Sequence, residues 1–360
     1  MNNDTTIGMD LGNKKHTVCA VDQAGNVLWR REVANTPEAL SEFFREHKGA
    51  TVAMETGLCC RWISVLAKRS GCDVLVGNAR KLEAIWKNKQ KNDANDAFLI
   101  AKIARIDPVL FHPVDLRDDE HHEMVQLLEL REVAVSQRTQ AINSVRGLCK
   151  AAGVFLPKCD AACFHKTAKG GIPADMAWKF RPMIRHLKEI AVTIKRYDAM
   201  LEKYACAHFG EEVGLVSTIP GVGPITSCAF VAFAGDAKRF GRARDAGAFF
   251  GLTPAQDKSG DLDAPKRVTK AGSMMVRHLL VTAANYILRE SSPDTAIKRH
   301  GLRICGRGGK VARRKAKVAV ARKLAVVMMA MLKSGRPYDD GLAAKKAAAG
   351  DAPALASLIA

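Results

Sequence analysis

Residues 5–33 read "TTIGMDLGNKKHTVCAVDQAGNVLWRREV" and contain three short runs rich in apolar and β-branched side chains. The runs are "TTIGMDLG", "HTVCAVD" and "VLWRREV", and the segment "QAGN" separates the second run from the third. Gly25 and Asn26 suit a tight turn, and runs of this length and composition are typical of strands. The stretch therefore predicts a three-stranded antiparallel meander.

Helices and strands alternate after the meander. Thr36 and Pro37 open "TPEALSEFFREH" as N-cap and first helical residue, and the apolar residues follow at helical spacing. A strand ("ATVAMETG"), a helix ("CRWISVLAKRS"), a strand ("CDVLVGN") and a helix opened by Asp93 come next. Three hairpin strands followed by this alternation favour a ribonuclease H-like α/β domain, which we assign to residues 1–112.

The middle of the chain has a helical pattern instead. Apolar positions from Leu127 to Leu148 follow three-four spacing, which predicts one long helix and is compatible with a coiled coil. The segment "AKGGIPA" (168–174) is expected to interrupt the chain before a second long helix over about 181–208. We interpret residues 113–212 as a helical arm that links two domains or mediates dimerisation.

A third region, residues 213–338, opens with "VSTIPGVGPITSCAFVAF". The Pro-Gly-Val-Gly turn between apolar helical runs resembles the hairpin of helix-hairpin-helix modules. Gly221 and Gly223 in such a turn would let backbone N–H groups contact a DNA phosphate. The alternative is an ordinary tight turn between packed helices. The Ala-rich end, 339–360, is expected to be loosely ordered.

Charge indicates the partner. The chain has 360 residues, 56 Lys and Arg against 37 Asp and Glu, and a formal net charge of +19. Such an excess predicts a polyanionic partner, most simply nucleic acid, and an anionic membrane surface is the weaker interpretation. Residues 298–336 contain thirteen Lys or Arg and no acid, which favours a phosphate-binding surface over a merely solvated basic face.

Location follows from three negative observations. The N-terminal "MNNDTTIGMD" is polar, so we expect no signal peptide. The most apolar run, "VAVARKLAVVMMAML", contains Arg322 and Lys323 and is too short to span a bilayer. The ten cysteines lack zinc-binding spacing and are interpreted as free thiols. We expect a cytoplasmic protein without membrane attachment.

Four acidic residues form the main candidate site. Asp10 and Glu55 each end an apolar strand, whereas Asp93 and Asp96 stand three apart and share one face of a predicted helix. Helix capping alone would explain the last two. Four carboxylates together would repel one another unless cations lie between them, and oxygen ligands suit Mg²⁺ or Mn²⁺. Two such ions can stabilise both the attacking and the leaving oxygen of a phosphodiester.

The order Asp10, Glu55, Asp93, Asp96 resembles the D-E-D-D set of the RuvC-like domain in the insertion sequence 110 family of bacterial transposases. The later stretch "IPGVGPITS…RFGRARDAGAFFGLTP…KSG…KRVTKAG…RHLL" resembles the C-terminal transposase domain of that family. The resemblance covers nearly the whole chain in order. It implies a DNA recombinase that acts on donor and target DNA, guided by an element-encoded bridge or seeker RNA, and that works as a dimer or tetramer.

The resemblance also assigns the nucleophile. It places Ser259, shortly after "GLTP", as the serine that would form a phosphoserine link to DNA. The anionic transition state of that step requires cations. Basic residues near Ser259 in sequence are candidates for this role or for other phosphate contacts: Lys258, Lys266, Arg267, Lys270 and Arg277.

Three other functions stay open from the sequence. A metal-dependent nuclease of the Holliday-junction resolvase type would use the four acids and water, and Ser259-Gly260 would then be only a turn. A non-catalytic DNA- or RNA-binding protein would keep the acids without using them. An actin-like kinase begins with a similar strand and Asp-x-Gly, but it requires a second phosphate loop that we do not find.

Overall fold

A computed structural model describes residues 5–79, 81–82, 93–255 and 267–341. The chain divides into two units, Met1–Leu116 and Arg117–Ala360. The first unit is mixed α/β, and the second is helical in its described part apart from one isolated bridge. This confirms the predicted fold class at that level. The predicted boundary at residue 212 falls inside the helix Ala174–Ser217 of the second unit, shortly after a kink at Phe209.

One mixed sheet forms the first unit. Its strands are β1 (Thr6–Asp10), β2 (Lys15–Val21), β3 (Val27–Ala34), β4 (Thr51–Glu55) and β5 (Asp73–Gly77), in the spatial order β3-β2-β1-β4-β5. The first three strands pair antiparallel, whereas β4 pairs parallel with both β1 and β5. The predicted meander is therefore confirmed, and the later strands extend the sheet from its β1 side.

Helices cover both faces of this sheet. They are α1 (Pro37–Glu46), α2 (Cys60–Arg69) and α3 (Asp93–Ile106). The predicted start of α1 is confirmed, since the Thr36 hydroxyl accepts a hydrogen bond from the Ala39 N–H at 3.3 Å. Ile7, Met9 and Val52 pack into one apolar cluster with residues of α1 and α2. Residues of opposite parity in the same strands face α3.

A glycine brings α3 close to the sheet. A Cβ on Gly8 of β1 would lie 2.0 Å from the Ala97 carbonyl oxygen and 2.5 Å from the Ala101 nitrogen, which are both in α3. Only glycine permits this backbone approach. The first turn of α3 therefore lies next to the carboxyl end of β1, where Asp10 is found.

Long helices form most of the second unit. They are α4 (Asp119–Ala151), α5 (Phe164–Gly171), α6 (Ala174–Ser217), α7 (Pro224–Ala234), α8 (Asp245–Phe249), α9 (Met274–Ile287), α10 (Ala296–Cys305) and α11 (Gly309–Ser334). The helices α4 and α6 pack antiparallel, with Ala134 against Ile190 and Ile194 midway along the pair. Every residue of α7 from Thr226 to Ala234 is buried, so α7 is the centre of this unit.

One predicted helix start in this unit is wrong, and one predicted interruption is too long. The second long helix begins at Ala174 rather than at about 181 and continues through exposed Pro182, whereas its predicted end at about 208 coincides with a kink at the non-helical residue Phe209. The predicted interruption is much shorter, because residues 168–171 belong to α5. Burial of Ala168 beside Phe164 stabilises that last turn despite its two glycines. Most of the predicted C-terminal tail lies outside the described residues.

Candidate active site

The ends of two neighbouring strands carry the first two acids. Asp10 is the last residue of β1 and Glu55 is the last residue of β4, and the parallel pairing matches Met9 with Met54 just before them. Asp10 and Glu55 have the same parity as Gly8 and Ala53, which contact α3. Both carboxylates therefore belong to the sheet face that α3 covers.

The third acid comes from α3 itself. Asp93 and Asp96 are both in the first turn of this helix. Asp96 is only 7% exposed, whereas Asp93, the first residue of the helix, is exposed. Because Gly8 lets α3 approach β1, the buried carboxylate lies near the strand ends. Capping suffices for an exposed acid at a helix start, but it does not explain the burial of Asp96.

Electrostatics connects three of the four acids. The pKa of the Glu55 carboxyl is raised to about 7, first by burial and then by the negative charges of Asp10 and Asp96. Among the residues that the structure describes, none donates a hydrogen bond to the buried Oε1 of Glu55. A half-buried carboxyl with an unbonded oxygen therefore lies in the negative field of two further acids.

The donor set suits a divalent cation in chemistry. All four predicted ligands are carboxylates, and Mg²⁺ and Mn²⁺ prefer oxygen. The unbonded Glu55 oxygen and the mutual repulsion of Glu55, Asp10 and Asp96 are what a cation would relieve. However, within the described ranges no three Asp, Glu, His or Cys side chains already converge as a metal-binding group.

The predicted nucleophile Ser259 lies outside the described residues, but the segments on either side of it are paired with each other. Pro254 forms an antiparallel bridge with Val268. The Ala255 N–H donates to the Arg267 carbonyl at 2.9 Å, and the Thr269 N–H donates to the Thr253 carbonyl at 2.9 Å. The "GLTP" and "TKAG" motifs thus meet as the two stems of the segment that contains Ser259.

Close backbone contacts fix the base of these stems. A Cβ on Gly251 would lie 2.3 Å from the Ala271 nitrogen, and one on Gly272 would lie 2.1 Å from the Phe249 oxygen. Lys270, between these contacts, adopts φ +56°, a left-handed conformation that side chains other than glycine rarely take. Lys270 and Arg267 are both exposed there.

Arg277 differs from these two cations. Its Nη1 donates to the carbonyl oxygens of Phe250 (3.3 Å), Gly272 (3.2 Å) and Ala271. The guanidinium therefore ties the start of α9 to both stems. This geometry gives Arg277 a structural role at the stem base, and the phosphate contact that the sequence predicted for it stays a prediction.

The turn from α6 to α7 contains the two predicted phosphate-binding glycines. Gly221 has φ +92°, and a Cβ there would lie 2.8 Å from both Ile287 and Tyr286 of α9. Packing thus explains Gly221 as a tight turn between helices. Gly223 is the N-cap residue of α7, and a Cβ there would meet nothing within 4 Å.

Sequence reasoning missed Asn35. Its backbone N–H donates to the Lys14 carbonyl at 2.9 Å, and its Nδ2 donates to the Asn13 carbonyl at 2.9 Å. Nδ2 also lies 3.7 Å from the Cys59 sulfur. Asn35 thereby connects the loop that follows Asp10 with the segment that follows Glu55. No local pattern marks these contacts, because they join residues far apart in sequence.

Two family models match the chain. A transposase model of the insertion sequence 110 type, which carries DEDD in its name, matches residues 7–152. A model described as the transposase IS116/IS110/IS902 family matches residues 213–300. Together they cover more than half of the chain, in the order that the motifs predicted. The chain belongs to the IS110 transposase family.

Full-length relatives agree with this assignment. The chain is 28% identical to the transposase for insertion sequence element IS1111A of Coxiella burnetii, over 93% of this chain and 91% of that protein. It is 28% identical to a probable family 20 transposase of Pseudomonas aeruginosa, over 94% of this chain and all of that protein. A transposase for element IS1328 of Yersinia enterocolitica is 25% identical over 80% of this chain.

The residue ranges matched by the two models contain the candidate residues of this IS110-family protein. The first match contains Asp10, Glu55, Asp93 and Asp96, and the second contains Ser259 and both of its stems. Across the described ranges, this protein has no helix that is both long enough and apolar enough to cross a lipid bilayer.

Proposed function

We propose that this IS110-family protein is a DNA recombinase that cuts and rejoins DNA through a phosphoserine intermediate on Ser259. The N-terminal unit would be RuvC-like, and its acids would hold divalent cations. The observation that carries the proposal is the joint negative field of Asp10, Glu55 and Asp96, with the pKa of Glu55 raised to about 7. A divalent cation would relieve the repulsion among these three neighbouring acids and would also attract a phosphate.

Asp10, Glu55, Asp93 and Asp96 are the residues that would hold Mg²⁺ or Mn²⁺. A bound ion of this kind supplies Lewis-acid stabilisation to the phosphate undergoing exchange. The chain itself determines where that phosphate lies, because the close approach at Gly8 places α3 against the strand that bears Asp10. Asn35 holds the adjoining loops.

Ser259 would perform the covalent step. Its Oγ attacks the phosphorus, a Ser–O–P bond forms, and the P–O bond to the departing strand breaks. The hydroxyl loses its proton and the departing oxygen gains one. A hydroxyl of a second strand then reverses the step, so the phosphodiester count is unchanged. Exposed Lys270 and Arg267, beside the stems, are proposed to stabilise the anionic transition state.

The partners in this proposal are donor and target DNA and a guide RNA. The positive net charge supports binding to phosphate backbones, and the family resemblance supplies the RNA and the dimeric or tetrameric assembly. The competing function is a metal-dependent nuclease in which water replaces Ser259. The nuclease would use the same three acids, so loss of an acid does not distinguish a nuclease from a recombinase. Formation of a protein–DNA link does.

Cleavage of labelled DNA bearing the element junction, followed over a Mg²⁺ titration, tests the acid site. We expect Asp96→Asn to reduce cleavage at least about 100-fold, with DNA affinity unchanged. Glu42→Gln is the matched control, because Glu42 is an exposed acid on α1. Cleavage by Asp96→Asn at the wild-type rate would contradict the role of these acids.

A further inference from the structure

The acid-free basic run at residues 298–336 divides into two groups in the structure. Some of its cations are used inside the protein. Lys298 is buried and donates to the Glu290 and Ser292 carbonyls at 3.1 and 2.7 Å. Arg299 pairs with Asp294 and Asp340, each at 2.8 Å. Lys333 donates to the carbonyls of Phe240 and Gly241. These residues stabilise the fold.

A second group of cations makes no such contacts within the protein. Lys310, Arg313, Arg314 and Lys317 lie in the first turns of α11, and we call them the α11 stripe. The first three are exposed and Lys317 is half-buried. Within the described part of the chain, none of the four side chains has a hydrogen bond or an ion pair.

Helical spacing places the four cations on one face. Their positions are i, i+3, i+4 and i+7, which fall within about 100° around the helix axis. Ala312, Ala316 and Val320 are buried on the remaining faces of the helix and anchor it to the core. The stripe therefore has a fixed direction, and it spans ~10 Å along the axis.

This placement is unfavourable for the isolated protein. Like charges at i, i+3 and i, i+4 repel one another, and the stripe contains four such pairs. The positive end of the helix dipole lies at the N-terminus of α11, where acids are preferred, but no acid is in its first turn. A bound polyanion would reverse both penalties.

We propose that the α11 stripe binds the phosphate backbone of a nucleic acid. Each strand of duplex DNA carries one phosphate per about 3.4 Å of the duplex axis, so a stripe ~10 Å long that follows this axis spans about three phosphates of one strand. Gly308 and Gly309 precede the stripe, and a Cβ on either would meet nothing within 4 Å. The surface is thus open to a backbone that runs past the start of α11. The inference rests on the proposed function, which makes nucleic acid the partner; donor or target DNA and guide RNA are its two possible sources.

Salt dependence of binding tests the proposal. The stripe variant combines Lys310→Gln, Arg313→Gln, Arg314→Gln and Lys317→Gln. Affinity is measured by fluorescence anisotropy between 50 and 300 mM KCl, with a labelled junction duplex in one arm and the element-encoded RNA in the other. The slope of log K against log salt is negative, and each lost contact reduces its magnitude by about 0.9 for duplex DNA and by about 0.7 for a single strand. We expect the magnitude to fall by roughly 3 in the arm that uses the stripe.

A matched control loses the same number of positive charges as the stripe variant. It combines Arg45→Gln, Lys48→Gln, Lys68→Gln and Arg69→Gln, which remove exposed cations at the ends of α1 and α2. There the helix dipole favours positive charge, so these cations need no partner. We expect the slope of this control to match wild type. The thermal midpoint of the stripe variant without nucleic acid should equal or exceed that of wild type.

The outcomes are distinct. A stripe variant with wild-type slope and affinity in both arms would overturn the proposal, and so would equal losses in the stripe variant and the control. Wild-type protein that binds neither nucleic acid would overturn the proposed function as well. A loss in one arm only supports the stripe and identifies whether DNA or RNA runs along it.

Discussion

Glu55 is half-buried, and the stability that it contributes is expected to depend on pH. Its pKa of about 7 lies above the ordinary value of 4.5, so between these pH values the folded protein binds more protons than the unfolded chain. The contribution of Glu55 to stability is therefore retained at low pH and lost as pH rises through 7. In the absence of divalent cations, the ionised form is repelled by Asp10 and Asp96.

Glu55→Gln should remove this pH dependence. In EDTA at pH 8 we expect the variant to unfold at a midpoint about 2–4 °C above wild type, because the neutral amide is not repelled. At pH 5 the two midpoints should converge. Mg²⁺ at pH 8 should stabilise wild type more than the variant. Thermal unfolding at both pH values, with Glu42→Gln as control, makes the comparison; identical pH dependence in all three proteins would refute the coupling.

Single residues were predicted unevenly from the sequence. Asp10 and Glu55 were identifiable because each ends an apolar run and is followed two residues later by glycine. Asn35 and the carbonyl-binding role of Arg277 were not, because their partners lie in other segments of the chain. A pattern that spans a few residues carries no information about such contacts.

The contact between β1 and α3 is the element-scale feature on which the acid site depends. Gly8→Ala would force the helix backbone away from the strand, since the new Cβ has no room. We expect a loss of about 1–3 kcal/mol in the free energy of unfolding, together with weaker stabilisation by Mg²⁺.

Gly147→Ala is the matched control for that change. Gly147 is an exposed position inside α4, and a Cβ there would meet nothing within 4 Å. This variant should gain up to about 1 kcal/mol, because alanine is the better helix former. Chemical denaturation of both variants decides the matter: equal effects of the two substitutions would contradict the close approach of β1 and α3.

The paired stems around Ser259 give a second prediction at this scale. In Arg277→Lys a single amine replaces the guanidinium that contacts three carbonyls, so the stems should lose their fixed position. We expect formation of the protein–DNA link to slow by about 10-fold or more, with DNA affinity and its salt dependence unchanged.

Arg185→Lys is the control for this experiment, because Arg185 is exposed on α6 and the substitution likewise keeps the charge. A fall in DNA affinity and in the salt slope for Arg277→Lys, without slower link formation, would instead make Arg277 a phosphate contact.

Elements were the most predictable level of this structure. The meander, the start of α1 and the long α4 all follow from local periodicity and capping residues. The lengths of α5 and α6 were not predictable, because burial of Ala168 and packing along α4 outweigh the local effects of glycine and Pro182. Tertiary packing determines such boundaries.

At the scale of the whole molecule, the chain combines a carboxylate site in its first unit with the stems of a predicted serine nucleophile in its second. The order of these parts agrees with membership in the IS110 transposase family. The net positive charge and the acid-rich site make physical sense together if a phosphodiester is the substrate.

The central claim is that Ser259 forms a covalent bond to DNA in a reaction that depends on the acid site. The most direct measurement incubates the protein with its RNA, Mg²⁺ and labelled junction DNA, denatures the mixture in detergent, and looks for a labelled protein band. We predict a band for wild type and for Ser291→Ala, an exposed-serine control, and no band for Ser259→Ala or Asp93→Ala. DNA cleavage without any band, persisting in Ser259→Ala and lost in Asp93→Ala, would contradict the serine mechanism and establish a metal-dependent nuclease.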